Sequence, residues 1–165
     1  MDLGAGGLNG GIVRMVDLAQ ATVASLTNQS EILAGMPAVS PDGQRVAFAG
    51  QRNLGQMYDE TRNSVFILET DGTVTQPDPG LGRTPAWSPD GEWIAFESAR
   101  ASSDGRYAAF IMRPDGSGLR QLTDLSLDAN HPVFSPAGRL LAFSASQPGW
   151  PETARGIAVI DVPDL

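Results

Sequence analysis

The sequence predicts an all-β fold of the propeller type, with two complete four-stranded antiparallel blades flanked by partial blades. Three observations predict it. The first is a repeat: "PAVSPDGQRVAFAG" at 37–50, "PAWSPDGEWIAFES" at 85–98 and "PVFSPAGRLLAFSA" at 132–145 are versions of one segment. Their leading prolines, Pro37, Pro85 and Pro132, stand 48 and 47 residues apart, a period of the size of a propeller blade. The second is local composition. Short β-branched and aromatic runs are separated by Gly, Pro, Asp and Ser, and no stretch carries a helical period. The third is that each period divides into four such runs joined by turns, as a blade requires.

The elements follow in chain order. Residues 1–10 read as an N-terminal tail. Within 11–36, "GIVRMVDLAQATVASLT" (11–27) is the second hairpin of a blade whose first hairpin does not precede it. Residues 37–84 form one blade, 85–131 the next and 132–165 an incomplete one. In the middle copy "PAWS" is the first strand and "SPDG" a tight turn. Pro89 presets φ there, Asp90 tolerates the bridge conformation and Gly91 supplies the left-handed position. "EWIAFES" is the second strand, "YAAFIM" the third, "RPDGSG" a turn and "LRQLT" the fourth. "SVFILETDGTVT" (64–75) aligns with the latter half, Phe66 with Phe110 and Asp71-Gly72 with Asp115-Gly116. Leu26-Thr27 precedes Leu122-Thr123 by two periods, and "GIAVIDV" (156–162) is a further third strand. In the last copy Ala137 stands in place of Asp, but Gly138 is kept, so the turn is expected to survive.

The second strands carry a packing signal. By alternation, Val46 and Phe48, Ile94 and Phe96, and Leu141 and Phe143 fall on one face, and Ala47, Ala95 and Ala142 on the other. A large face against a small face lets twisted sheets stack closely. The expected arrangement is therefore the alanine face of one blade on the phenylalanine face of the next.

Composition excludes several function classes. The chain has no cysteine, which removes disulfides, thiolate metal sites and a cysteine nucleophile. With 11 basic and 19 acidic residues the net charge is −8, which argues against a nucleic-acid partner. No segment is long and apolar enough to predict membrane insertion. "MDLGAGGLNGG" has no basic region followed by an apolar run, so it does not read as a secretory signal. Every basic residue is arginine, which fits a GC-rich genome better than a special function.

"PAWSPDGEWIAF" together with "YAAFIMRPDGSGLRQLTD" resembles the WD-like repeats of the TolB-like propeller family. Such repeats also occur in the propellers of prolyl-oligopeptidase-type peptidases and of the tricorn protease. The resemblance covers residues 11–162. It implies a partial TolB-type six-bladed propeller, a setting in the periplasm or cell envelope, and a fragment of a longer propeller. Its function would be a non-catalytic interaction module that binds a protein or peptide through one loop face. The alternative it implies is the propeller of a serine peptidase, gating a catalytic domain outside these residues. A third is a fragment without independent function.

Candidate site residues are few. His131, the single histidine, precedes Pro132, where by the resemblance inner strands line a central channel. It is a candidate channel contact, or a residue satisfied by backbone. No metal site is expected, since only Asp124 and Asp128 lie nearby, without calcium-loop spacing. No cofactor is expected either: "PDGSG" (114–118) has neither a GKS/T ending nor a following helix. No G-x-S-x-G elbow exists, so no catalytic residue is assigned. The loops between second and third strands, 49–63, 98–106 and 144–156, differ most among the copies, and binding tends to reside on such loops. Their candidate partner contacts are Arg52, Tyr58, Arg62, Arg100, Arg106, Trp150 and Arg155. Open blade ends also predict self-association.

Overall fold

The computed structural model describes residues 11–55, 58–146, 149, 151 and 154–162; the 1–10 tail lies outside them. Four antiparallel sheets follow one another along the chain. The first is a hairpin, β1 (Arg14–Asp17) and β2 (Thr22–Ser25). The second contains β3 (Ile32–Val39), β4 (Arg45–Arg52), β5 (Ser64–Glu69) and β6 (Val74–Thr75). The third contains β7 (Arg83–Trp87), β8 (Ile94–Ser98), β9 (Ala108–Met112) and β10 (Arg120–Gln121). The fourth has three strands, β11 (Asn130–Phe134), β12 (Leu140–Ala145) and β13 (Gly156–Asp161). Strands pair in sequence order in every sheet, as four-stranded blades flanked by partial ones require.

The repeated turns close as their residues dictate. Gly43, Gly91 and Gly138 have φ of 71°, 73° and 73°, and each donates its N–H to the carbonyl of Ser40, Ser88 or Ser135 at 2.8–2.9 Å. In the first two, the Asp carboxylate accepts from the serine hydroxyl at 2.5 Å and from the amide two residues on at 3.0 Å. Ala137 cannot do this, yet its turn is kept by the glycine.

The first strands begin ahead of their prolines, at Ile32, Arg83 and Asn130. Proline has no N–H for the ladder, so each sits at a bulge inside the strand rather than at its start. The register shifts there in all three copies. The residue before each proline, Met36, Thr84 or His131, takes a left-handed φ of 53°, 47° or 54°. Such a conformation costs a non-glycine residue on the order of 1 kcal/mol, and every copy bears it.

A second repeated feature joins neighbours. The carbonyls of Gly11, Asn63 and Tyr107, each shortly before β1, β5 or β9, accept at 2.8 Å the N–H of Ala34 in β3 and of Gly82 and Ala129, the residues just before β7 and β11. The "LT" pair also has a role. The hydroxyls of Thr27 and Thr123 accept the N–H of Val13 and Ala109 at 3.0 and 2.9 Å.

The core lies between sheets. Ala47, Val65 and Ile67 pack on Ile94, Phe96 and Phe110. Ala95, Ala109 and Ile111 pack on Leu141 and Phe143. Alanine faces meet phenylalanine faces in both seams, as expected from alternation. Phe48, Phe66 and Leu68 meet Val13 and Leu26 of the hairpin. The opposite face of the fourth sheet carries Val133, Ala142 and Val159 in register, and it is open, with Val133 54% and Val159 55% exposed.

Candidate functional site on the loop face

Second strands end, and third strands begin, at one end of the stack. The three variable loops therefore open on one face, together with the sheet-to-sheet connections. The described residues of the loop after β4 are bonded both to the connection before β3 and to one another. Asn53 donates its N–H to the Glu31 carbonyl at 2.7 Å and its side-chain amide to Gln29 at 2.9 Å. Asp59 caps a single 3-10 turn, Glu60–Arg62, by accepting from the Thr61 amide and hydroxyl. Those two bonds, the hydroxyl's first, hold the Asp59 carboxyl below the usual value, with Arg62 adding a smaller pull. Arg62 Nε lies 3.2 Å from Asp59 Oδ2, and the Tyr58 hydroxyl accepts from Asn63 Nδ2 at 2.8 Å.

The sequence-derived candidates separate into two kinds. Arg52, Arg62 and Arg106 are exposed on the surface; Arg106 pairs with Asp104 at 3.2 Å. Arg100 turns inward. It bonds Asp78 at 2.5 Å, the Leu81 carbonyl at 2.6 Å and the Ser98 hydroxyl at 3.0 Å, over the rings of Phe96 and Phe110. Arg155 ties the last loop to Asp128, both carboxylate and carbonyl, and to Ser144. Tyr58 and Asn63 pack within their own loop. Trp150 lies outside the described residues. His131 is 70% exposed at its side chain and occupies the same bulge position as Met36 and Thr84.

Sequence reasoning missed a buried charge cluster at the same end. The Glu97 side chain is fully buried. Its Oε1 accepts from Arg83 Nε at 2.8 Å and its Oε2 from the His131 amide at 2.5 Å, linking the third sheet to the fourth. Arg83 also lies over the Tyr107 ring at 4.5 Å and 3.7 Å from Glu60. Burial opposes the Arg83 charge, but the hydrogen bond and charge of Glu97, with Tyr107 and Glu60, hold it above its ordinary value. Burial raises the Tyr107 phenol, Arg83 drawing it partly back. Burial also works against the Asp128 carboxylate, and bonds from the Tyr107 amide and Arg155 outweigh it, leaving the pKa lowered. A signal for Glu97 existed: it alternates with Ala95, so it must face the neighbouring sheet.

At this end, beside the end of β4 and the start of β5, lies a crevice of about 260 Å³, walled by Arg52, Leu54, Arg62, Phe66 and Gln76. Among the described residues no group of three or more His, Cys, Asp or Glu is placed to hold a metal. No described helix is long and apolar enough to cross a membrane.

No family model and no curated protein matches the sequence. Solved structures do match in fold. TolB from Acinetobacter baumannii superposes over 91% of this chain with a TM-score of 0.72 and 19% identity. The fold is a partial TolB-type β-propeller. An oligogalacturonate lyase in complex with manganese matches 92% of the chain at a TM-score of 0.70 and 18% identity. A prolyl endopeptidase matches 94% at 0.64 and 17%. The propeller spans only 35%, 45% and 25% of the lengths of these three proteins. One blade architecture thus serves both TolB and enzymes of unrelated chemistry.

Proposed function

We propose that this propeller segment is a non-catalytic interaction module that binds a protein or peptide through its loop face. The observation that supports this reading most is the set of bonds made by the described residues of the variable loops. The loop after β4 is capped and tied at Asn53, Asp59 and Asn63, and Arg155 ties the loop after β12. Residues tied in this way to a rigid stack lose little conformational entropy on binding. Arg52, Arg62 and Arg106 present cations from this surface, while Arg100 anchors the loop that carries Arg106 and Arg155 ties its own loop to Asp128. Trp150 remains part of the proposed contact set as an aromatic anchor. His131 has no nucleophile bonded to it among the described residues, its nearest acid being Glu97 at 4.0 Å. That supports binding over catalysis. The envelope setting implied by the TolB resemblance belongs to the same proposal.

The test is selection of a displayed random peptide library on the immobilised chain. Clones are then checked against Arg52→Glu, Arg62→Glu and Arg106→Glu on the loop face. Arg139→Glu at the opposite, turn-bearing end is the control. The reading expects clones that lose binding to loop-face variants and keep it with the control. Failure to enrich any clone, or clones sensitive only to Arg139→Glu, would count against it.

A further inference from the structure

We propose that the outer edge of β13 is a strand-acceptor site for an extended segment of a partner chain that carries Leu-Thr. The ladder shows which backbone groups are on offer. The N–H of Val162 donates to the carbonyl of Arg139, just ahead of β12, at 2.9 Å. By alternation the N–H and C=O of Ala158 and Ile160 also turn toward β12. Those of Ile157, Val159 and Asp161 turn away, and no described strand pairs with that edge. Nor is the edge guarded: Gly156–Asp161 holds no proline, lysine or bulge.

The first and third sheets show what seats on such an edge. Val13 and Ala109 hold the position of Ile157, each standing four residues ahead of Asp17, Arg113 or Asp161. In both sheets a Leu-Thr pair serves that position. The N–H of Leu26 or Leu122 donates to the carbonyl of Val13 or Ala109 at 2.8 Å. The hydroxyl of Thr27 or Thr123 accepts the N–H of the same residue at 3.0 or 2.9 Å. Both threonines are buried, and each leucine packs into the seam toward the next sheet. The second sheet has no Leu-Thr, yet the position of Asp161 is used there as in the third: the N–H groups of Glu69 and Arg113 go to the carbonyls of Thr73 and Ser117 at 2.9 and 2.8 Å. Ile157 offers the same donor and acceptor, and its side chain is 78% exposed beside Val159. A leucine seated as Leu122 is would lie against Ile157 and cover apolar surface that water now touches. Main-chain bonds of this kind give affinity, and the side chains give specificity. The chain's two Leu-Thr pairs are both engaged in their own sheets, so the segment comes from another molecule.

Isothermal titration of the full chain decides it, with Ac-Gly-Leu-Arg-Gln-Leu-Thr-Asp-NH2, the sequence of residues 118–124, as the ligand. The same peptide with valine in place of threonine keeps the shape and loses the hydroxyl, and should bind about fivefold more weakly. Ile157→Pro removes the outward N–H and leaves the ladder to β12 whole, and should weaken the threonine peptide about tenfold. Arg106→Gln, on the loop face, should not weaken it. The peptide pair keeps the test readable if Ile157→Pro does not fold. Equal affinity for the two peptides overturns the inference, as does binding indifferent to Ile157→Pro. Binding lost in Arg106→Gln but kept in Ile157→Pro moves the peptide to the loop face and overturns it too. So does the absence of heat at concentrations on the order of 10 mM. Light scattering on the same samples covers the other occupant: self-association that Ile157→Pro abolishes and the peptide does not displace assigns the edge to a second copy and overturns the proposal.

Discussion

Replacing Phe96 with alanine tests the stacking of the blades most directly. Phe96 is wholly buried. It stacks on Phe110 with centroids 5.9 Å apart and packs on Ala47, Val65 and Ile67 of the preceding blade. Losing the ring forfeits about 1.5–3 kcal/mol of transfer free energy. The hole cannot close easily, because ladders on both sides hold the two sheets apart. A residual cavity of roughly 60–80 Å³ adds about 1.5–2 kcal/mol at about 24 cal/mol per Å³. The sum is about 3–5 kcal/mol, a fall in the urea midpoint of about 1.5–2.5 M for a slope near 2 kcal/mol per M. The measurement is urea unfolding followed by tryptophan fluorescence and circular dichroism. Phe96→Leu keeps the experiment readable if the alanine variant does not fold, and should cost under about 2 kcal/mol. Phe143→Ala should cost less than Phe96→Ala. The fourth sheet has an open outer face, marked by Val133 and Val159, and can relax into the space. A loss below about 1 kcal/mol for Phe96→Ala would show that this face is not the packed seam described.

Four further outcomes are expected. Glu97→Ala strips the buried partner from Arg83 and the His131 amide and should cost about 3–5 kcal/mol in the same melts; an effect within experimental error would remove the cluster from the structural account. Ala137→Asp should raise the melting temperature by about 1–3 °C, because Asp42 and Asp90 at matching positions each accept from a serine hydroxyl and a backbone amide. Those bonds, serine first, hold both carboxyls below 3.8, so the gain should be present above about pH 4 and fade as the pH falls through the lowered folded value; a gain that persists under full protonation refutes the capping mechanism. The chain should self-associate in light scattering coupled to size exclusion, through the open face bearing Val133, Ile157 and Val159 and the exposed Met15, Val16 and Val23 of the hairpin; a sharp monomer peak across a dilution series contradicts this. Peptide and ester substrates should not be hydrolysed, and turnover abolished by His131→Ala with the fold intact would overturn the non-catalytic proposal.

Local chemistry accounts for what the sequence by itself determined. Ser-Pro-Asp-Gly sets its own turn, since proline limits φ and glycine admits the left-handed residue. Alternation in "IAF" and "VAF" assigns each side chain to a face, so the repeat, the strand order and the alanine-on-phenylalanine seams were all legible. Tertiary structure decided the rest. The prolines proved to lie at bulges inside longer strands, because ladder pairing with β4, β8 and β12 extends the first strands past them. Arg100 and Arg155 turned into anchors while Arg52 and Arg62 came to share a crevice. An arginine side chain is long, and spacing along the chain does not say which carboxylate it will reach. Glu97 met Arg83 within its own sheet and the His131 amide 34 residues away, on the next. Such pairs form only when the sheets stack, and the energy that selects them is the cost of leaving a buried charge alone, a quantity that exists nowhere in the unfolded chain.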